Sequence, residues 1–254
     1  MAIDEAIFKA RRDGIVPPTL RVYEWSSPAV SLGRLQSFSD IDLDACRELG
    51  VSIVRRITGG KAAIHGRDIS YSVCASHEDS FCRSAVRTYS IISRCLEKAF
   101  ESMGLDVEVV RERIPSDKPA CFSNPSFGDV VFRGTKLAGG AQAWRAGYFI
   151  QQGTILLDFD PDVHSAIFGD FLCEADQESG TAFKGHFPSG SPNLERIKYS
   201  LSRGFERLLG VRFRRSKLTD IELLMARELI AKYADSRWTM HREHSGRAHS
   251  PALL

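Results

Sequence analysis

Two residues of one short stretch offer the clearest chemistry in this sequence. Cys121 begins the stretch CFSNPSFGDVVFRGTKLAGGAQ, and Lys136 lies further along it, ahead of paired glycines. A cysteine attacks as its thiolate, and a free thiol with a pKa of about 8.5 is mostly protonated near neutral pH. A lysine folded back beside the thiol would favour the thiolate, while Gly139 and Gly140 would let an acyl chain approach closely. We therefore take Cys121 and Lys136 as nucleophile and activating cation; the alternative is that Cys121 is a small core residue.

A second candidate is the segment RRITGGKAAIHG, which runs from Arg55 to Gly66. A strand ends in two arginines, a Gly-Gly turn follows, and the chain then runs back into a strand. The backbone amides of Gly60, Lys61 and Ala62 are therefore predicted to face a phosphate or carboxylate beside fixed positive charge. The spacing matches neither a P-loop nor GxGxxG, and the alternative is a glycine hairpin turn with solvated arginines.

Hydrophobic periodicity predicts the elements that must position these residues. An amphipathic helix opens the chain before Gly14, and strands dominate residues 19–72, with one short helix at DLDACRELG. A 3.6-residue apolar repeat predicts a long helix from Ser84 to Met103. Strands follow at LDVEVV, FGDVVFRG, TKLAGG and YFIQQGTILLDF, and helices at NLERIKYSLSRGFERLLG and DIELLMARELIAKYA close the fold. Because strands and helices come in separate runs, we predict an α+β fold with mixed or antiparallel sheets flanked by helices.

Composition excludes several classes of protein. The 254 residues are 43% hydrophobic, which is enough to bury a core, and the formal net charge is only +2. Without a basic field across the sequence, nucleic acid is not an expected partner. No window approaches the roughly 18 continuous apolar residues of a membrane span. The six cysteines are scattered without a CxxC pair, which indicates reduced thiols, so we expect a cytoplasmic protein with no membrane partner.

Two long segments resemble a known family. RRITGGKAAIHGRDISYSV is similar to the RRxTGGRAVLHxxExTYSV signature of the lipoate-protein ligase and octanoyltransferase (biotin/lipoate A/B protein ligase) family. GTKLAGGAQAWRAGYFIQQGTILL is similar to its GxKxxGSAQxRxxGxxLQHGSxxL segment, while RVYEWSSPAVSLGRLQ and AKYADSRW match its early strands and last helix. The resemblance implies one biotin/lipoyl protein ligase-like catalytic domain over residues 1–240. Residues 241–254 are polar and unpatterned, and we expect a flexible tail whose histidines are solvated and bind no metal.

Within this family, the ACFxxPS segment is similar to that of the cysteine-dependent LipM-type octanoyltransferases. The resemblance implies that Cys121 carries the acyl group and that Lys136 lowers the pKa of its thiol. It also implies transfer of an octanoyl (or lipoyl) group from acyl carrier protein to a lysine of lipoyl domains or of the glycine-cleavage H protein, without a cofactor. The substrate-binding residues predicted with it are Arg56, Gly59, Gly60, Lys61, Ala62, Ala63, Ile64, His65, Gly139, Gly140, Gln142, Gln152 and Gly153.

These residues are given three roles. The small or apolar ones between Gly59 and Ile64 are predicted to line an acyl pocket, with Arg56 and His65 at its polar rim. Backbone amides near 139–142 are predicted to stabilise an oxyanion. For His65 the alternative is a hydrogen-bonded structural residue.

Three positions depart from the family pattern: Gln152 replaces a His, Gly140 a Ser and Gly66 a common Asp. They keep a non-catalytic acyl or lipoyl-domain binding protein open as an alternative. Another alternative is an ATP-dependent lipoate-protein ligase, in which Arg56 and the Gly-Gly segment would hold an acyl-adenylate made with ATP and Mg²⁺. Three features favour the transferase. They are Cys121, Lys61 at a position where ligases usually have a third glycine, and a C-terminus too short for the extra domain of many ligases.

Overall fold

The computed structural model describes residues 1–112, 125–169 and 194–241. The helices are α1 (Ala2–Arg12), α2 (Leu43–Glu48), α3 (Ala85–Ser102), α4 (Pro161–Phe168), α5 (Leu194–Leu209) and α6 (Asp220–Ala234), with a 3₁₀ turn at Phe38–Asp40 and a π-helical turn at Arg237–His241. The strands are β1 (Thr19–Tyr23), β2 (Ala29–Leu32), β3 (Ser52–Arg55), β4 (Ala63–His65), β5 (Asp68–Ser76), β6 (Val107–Val109), β7 (Val130–Phe132), β8 (Thr135–Arg145) and β9 (Tyr148–Leu156).

The strands form two sheets. The larger has six strands in the order β1-β5-β9-β8-β7-β6, and every neighbouring pair in it is antiparallel. The smaller has the order β3-β2-β4, in which β2 runs parallel to β3 and antiparallel to β4. The predicted α+β fold with mixed and antiparallel sheets is therefore confirmed.

The main core lies between the larger sheet and helices α3 and α5. Helix α3 begins after Ser84, whose hydroxyl accepts a hydrogen bond from the third residue of the helix, and its apolar repeat buries Ile92 and Phe100. Gly204 lets α5 approach α3, because a Cβ there would lie 2.3 Å from the carbonyl oxygen of Cys95. Cys95 is buried in this core, and burial raises the pKa of its thiol to about 12, so this cysteine is a packing residue.

A second, smaller core lies against the three-stranded sheet and includes a helix that the sequence analysis missed. Helix α4 contributes the buried Ile167 and Phe168 to this core. The start of α4 follows ordinary rules, since Asp160 caps it through its side chain and Pro161 occupies its first turn.

Helix α1, at the N-terminal end of the chain, packs against strands β5 and β9 of the larger sheet. It packs on α6, which begins with a capping box formed by Thr219 and Glu222. A buried ion pair of 2.6 Å between Glu5 and Lys232 ties the two helices together. Across the described ranges, no helix combines the length and the apolar character needed to cross a membrane.

Candidate active site

A cavity lies between the two sheets. One wall consists of β2, β4 and the turn before β4, and the other consists of β5, β8 and β9. Its empty volume is ≈ 430 Å³ when the space out to its open mouth is counted. Trp25 and Tyr23 add an aromatic wall that the sequence analysis did not predict.

Most of the predicted substrate-binding residues border this cavity. Those that line it are Arg56, Gly60, Lys61, Ala63, His65, Gly139, Gly140, Gln152 and Gly153. The two glycine-rich segments are far apart in the sequence, and the fold brings them to opposite walls of one space.

Ala62 and Ile64 are a correction to the predicted lining. Both pack with the small core on the other side of the three-stranded sheet, because successive side chains of a strand point to opposite faces. Ala63 and His65, which alternate with them, face the cavity. Gly59 and Gln142 also lie off the cavity wall, and the side-chain amide of Gln142 donates to Gln151 over 2.8 Å.

The two arginines of RRITGG are buried, which corrects the alternative that they are solvated. Arg55 donates to the carbonyl oxygens of Gly33 and Thr239, each over 2.7 Å. Arg56 donates in the other direction, to the carbonyl oxygens of Gly59 and Lys61 over 2.8 and 2.9 Å. Arg56 thus clamps the Gly-Gly turn that forms part of the cavity wall.

His65 belongs to a buried polar chain. Its Nε2 lies 2.7 Å from the hydroxyl of Ser31, and its Nδ1 lies 2.9 Å from Asp68 Oδ2. Arg56 donates to the same Ser31 hydroxyl over 2.8 Å, and Trp25 stacks on the imidazole with ring centroids 4.2 Å apart. Since Asp68 accepts at Nδ1 and the Ser31 hydroxyl lies at Nε2, the ring is fixed in place. These contacts favour the alternative that His65 is a hydrogen-bonded structural residue.

Gln152, which replaces the histidine of the family pattern, is held from two sides. Its side-chain nitrogen donates to Asp4 Oδ2 over 2.8 Å, and the hydroxyl of Thr58 donates to its oxygen over 3.0 Å. Asp4 is fully buried, and burial acts to raise the pKa of its carboxyl. The charge of Arg21 and the hydrogen bonds of Gln152 and Arg21 outweigh this effect, so the pKa of Asp4 lies below its usual value. The glutamine is therefore a fixed amide bonded to a carboxylate.

Gly140 and Gly153 face each other across β8 and β9, and Tyr71 uses the space that they leave. A Cβ on Gly153 would lie 2.2 Å from the Tyr71 ring. A Cβ on Gly140 would lie 2.9 Å from the carbonyl oxygen of Gln152 and 3.2 Å from the Tyr71 hydroxyl. The glycine at 140, where the family pattern has a serine, is thus matched to the tyrosine packed beneath it.

Lys136 lies on β8, as predicted, and its ammonium is buried. It forms an ion pair of 2.7 Å with Asp129, and the side chains are 5% and 3% exposed. Gly139 makes room for this pair, since a Cβ there would lie 2.5 Å from Lys136 Cε and 2.6 Å from Asp129 Oδ1. Cys121, the predicted nucleophile, lies outside the described residues.

The backbone amide of Gly140 has a partner within the protein. Its N–H donates to the hydroxyl of Tyr89 over 2.8 Å, and this hydroxyl lies 3.0 Å from the carbonyl oxygen of the same glycine. This contact corrects the oxyanion prediction for that one amide.

Sequence reasoning missed Asp129, Tyr89 and Asp4 as residues of the site. Tyr89 and Asp4 lie on helices far along the chain from Gly140 and Gln152, which they contact, so no spacing rule could connect them. Asp129 is close to Lys136 in the chain, but their contact depends on how strands β7 and β8 pair. The signal available was only local: Asp129 follows Ser126 in a turn, and Asp4 lies among the apolar residues of α1. In the described ranges, no group of three His, Cys, Asp or Glu side chains converges as metal ligands would.

Comparison with known proteins gives a consistent result. The family described as the lipoyl protein ligase A/B catalytic domain matches residues 1–201. The octanoyltransferase LipM of Kyrpidia tusciae is 36% identical over 253 residues, which cover 94% of this chain and 92% of that protein.

Solved structures agree with the sequence relatives. A lipoate-protein ligase A bound with ATP superposes with a TM-score of 0.77 at 26% identity, covering 94% of this chain and 92% of the other. A bipartite lipoate protein ligase from Thermoplasma acidophilum, studied with its E2 lipoyl domain, gives 0.76 at 25% identity, with 96% and 91% covered. The chain belongs to the lipoyl protein ligase A/B catalytic domain family.

Proposed function

We propose that this protein is an octanoyltransferase of protein lipoylation. The observation that carries the proposal is its similarity to the octanoyltransferase LipM of Kyrpidia tusciae over 94% of the chain. The site is consistent with this activity, because a buried lysine lies beside Gly139, which borders the cavity between the two sheets. The finer assignments of donor, nucleophile and acceptor below are parts of the proposal.

The first step of the proposed reaction is a thioester exchange. The thiolate of Cys121 attacks the carbonyl carbon of an octanoyl thioester on acyl carrier protein. A bond forms between that carbon and the cysteine sulfur, the carrier's C–S bond breaks, and the carrier leaves as a thiolate. Lys136 supplies the positive charge that favours the attacking thiolate over the thiol.

The second step forms an amide. The neutral amine of a lysine on a lipoyl domain or on the glycine-cleavage H protein attacks the acyl-enzyme, its C–N bond forms, and the C–S bond to Cys121 breaks. The proton lost by the amine balances the departing thiolate or returns to solvent. The reaction needs no nucleotide because a thioester is converted to a more stable amide. That the bipartite ligase of T. acidophilum was studied with an E2 lipoyl domain supports this class of acceptor.

The cavity suits an apolar chain with a polar end. Ala63, Ala141 and Trp25 supply apolar surface, while Gln152 and His65 supply polar groups. Burial of methylenes contributes about 0.8 kcal/mol each, so an eight-carbon chain would gain several kcal/mol of binding.

Intact-mass spectrometry tests this proposal directly. The purified protein is incubated with octanoyl-acyl carrier protein in the absence of ATP, and we expect an octanoyl adduct that hydroxylamine removes. Cys121→Ala should abolish the adduct, whereas Cys82→Ala, which removes a partly exposed cysteine elsewhere, should retain it. An adduct that persists in Cys121→Ala would contradict the assignment of the nucleophile.

A second candidate function is an ATP-dependent lipoate-protein ligase. It is favoured by the superposition on a lipoate-protein ligase A bound with ATP. In that case Lys136 and the turn clamped by Arg56 would contact an acyl-adenylate, and Mg²⁺ would accompany the nucleotide. Lipoate-dependent exchange of labelled pyrophosphate into ATP would identify the ligase, and its absence together with the ATP-independent adduct would exclude it.

A further inference from the structure

The ion pair of Lys136 with Asp129 is buried beside the cavity, and the proposed function has so far used only the lysine. Asp129 precedes β7 and is 2% exposed. Its Oδ2 accepts from the ammonium over 2.7 Å and from the backbone N–H of Ser126, also over 2.7 Å. An aspartate anchored by its own turn is a fixed anion, and its position determines where the lysine can place its charge.

Tyr89 connects this carboxylate to the strand that carries the lysine. Its hydroxyl accepts from the N–H of Gly140. The hydroxyl oxygen lies 3.0 Å from the carbonyl oxygen of Gly140 and 3.4 Å from Asp129 Oδ1, and it can donate its proton to either. The ring of Tyr89 is held against Gly128, where a Cβ would lie 2.3 Å from the ring atoms. Helix α3 thus fixes the carboxylate and the backbone of β8 through one phenol.

Gly139 completes the arrangement. A methyl group at this position would lie 2.5 Å from Cε and 2.8 Å from Nζ of Lys136, and 2.6 Å from Asp129 Oδ1. Glycine therefore lets the charged pair lie directly against the backbone of β8, at a residue that borders the cavity.

We propose that Asp129 is a positioning residue for acyl transfer: its carboxylate holds the Lys136 ammonium against Gly139, and Tyr89 fixes that carboxylate to β8. The inference rests on the proposed function, in which Lys136 provides the activating charge. A buried ammonium without an anion beside it tends to lose its proton, because burial disfavours the charged form. Asp129 therefore keeps the lysine both charged and directed.

Two further groups face this pair: the backbone N–H of Ser126, in the turn before β7, and the titratable phenol of Tyr89 on helix α3. Burial raises the pKa of the Asp129 carboxyl, while the charge and hydrogen bond of Lys136 and the hydrogen bonds of Ser126 and Tyr89 act in the opposite direction. The charge of each partner thus depends on the other, so removing the aspartate should change the lysine.

The first test measures the lysine without any substrate. The protein is pulsed with an amine-acylating reagent over a series of pH values, and peptide mass spectrometry gives the labelling of Lys136. Lys232 is an internal reference in the same sample, since it forms a 2.6 Å ion pair with Glu5 and its side chain is 7% exposed. In Asp129→Asn we expect the labelling midpoint of Lys136 to fall by about one pH unit or more, and that of Lys232 to stay constant.

Two outcomes of this test would overturn the proposal. One is an unchanged midpoint for Lys136 in Asp129→Asn; the other is an equal fall at Lys232, which would indicate general loosening of the fold. Tyr89→Phe keeps the ring on Gly128 and removes only the hydroxyl, so it serves if Asp129→Asn does not fold. We expect it to move the Lys136 midpoint in the same direction by a smaller amount, and no movement would count against the role of Tyr89.

The second test measures octanoyl transfer. Asp129→Asn should lower kcat at least tenfold with the KM for the octanoyl carrier within twofold of wild type, and Asp129→Glu should restore part of kcat. The matched control is Asp79→Asn: Asp79 also accepts from the backbone N–H three residues earlier and pairs with a cation, Arg11, but lies outside the cavity wall. It should leave kcat unchanged, and an equal loss in both variants would overturn the proposal. If the wild type transfers no octanoyl group, the proposed function fails, while the labelling test still decides the role of Asp129.

Discussion

Protonation of His164 should make this protein lose stability under mildly acidic conditions. The residue lies on α4, is 6% exposed, and has rings on two sides, with centroids 4.5 Å from Phe159 and 5.2 Å from Phe168. Its Nδ1 is buried without a hydrogen-bond partner in the described structure. Burial lowers the pKa of His164 from 6.5 to about 4, and the charge of Asp160 opposes this only in part.

The direction and size of the effect follow from linkage. As the pH falls below 6.5, the unfolded chain takes up a proton that the folded protein refuses, so stability falls until the pH reaches about 4. Between pH 7.5 and pH 5 these two pKa values correspond to a loss of about 2 kcal/mol in the free energy of unfolding. Below about pH 4 both states are protonated, and this group causes no further loss.

Urea unfolding at pH 7.5 and pH 5 measures this loss against two variants. His164→Phe keeps a ring between the flanking phenylalanines and cannot titrate, so its loss over the interval should be smaller than that of the wild type by about 2 kcal/mol. Ile167→Val on the same helix is the matched control: it should cost about 0.5–1.5 kcal/mol at both pH values and keep the wild-type dependence. Equal pH dependence in the wild type and His164→Phe would refute the reasoning.

Three glycine substitutions test the close packing around the cavity. Gly139→Ala should displace the Lys136 ammonium, because the Cβ would lie 2.5 Å from its Cε; we expect kcat for octanoyl transfer to fall about tenfold, or about 1.4 kcal/mol, and an unchanged kcat would contradict this. Gly153→Ala should cost about 1–3 kcal/mol in urea unfolding, because its Cβ would meet the Tyr71 ring at 2.2 Å; failure of Tyr71→Leu to relieve that cost would argue against the contact. Gly140→Ser should cost a similar amount, since its Cβ would lie 2.9 Å from a backbone oxygen, and a serine accommodated without loss would show that β9 can shift.

The sequence predicted the long elements well because their stabilising features are local. Helix α3 has an N-cap at Ser84 and an uninterrupted apolar repeat, and α6 has a capping box at Thr219, so each could be recognised within its own span. Helix α4 carried similar signals at Asp160 and Pro161. It was missed because its short apolar pattern follows directly on the strand residues YFIQQGTILLDF, where the change of period is hard to see.

The residues that line the cavity could be predicted only in part, because neighbouring residues of a strand point to opposite faces of the sheet. The segment of small residues after the Gly-Gly turn was expected to line the pocket as a unit, but the pleat of β4 sends Ala63 to the cavity and Ile64 to the core. The same alternation separates the adjacent arginines: Arg55 reaches the carbonyl oxygen of Thr239, 184 positions away, while Arg56 turns to Ser31. Which face of the strand borders the cavity and which borders the core depends on the elements that pack against each face.

The charge at the centre of the site depends on a residue outside the motif. The motif identified Lys136, but the charge of a lysine buried to this extent depends on its counter-ion, and Asp129 carries no motif signal of its own. The sequence analysis predicts that Gly139 makes room for an acyl chain. In the structure, the ion pair itself fills the space where a side chain of residue 139 would lie. Because that space is already filled, a larger residue at position 139 displaces the ion pair before it narrows the space for substrate. Displacement of the ion pair should lower kcat without a change in KM, whereas obstruction of the substrate should raise KM.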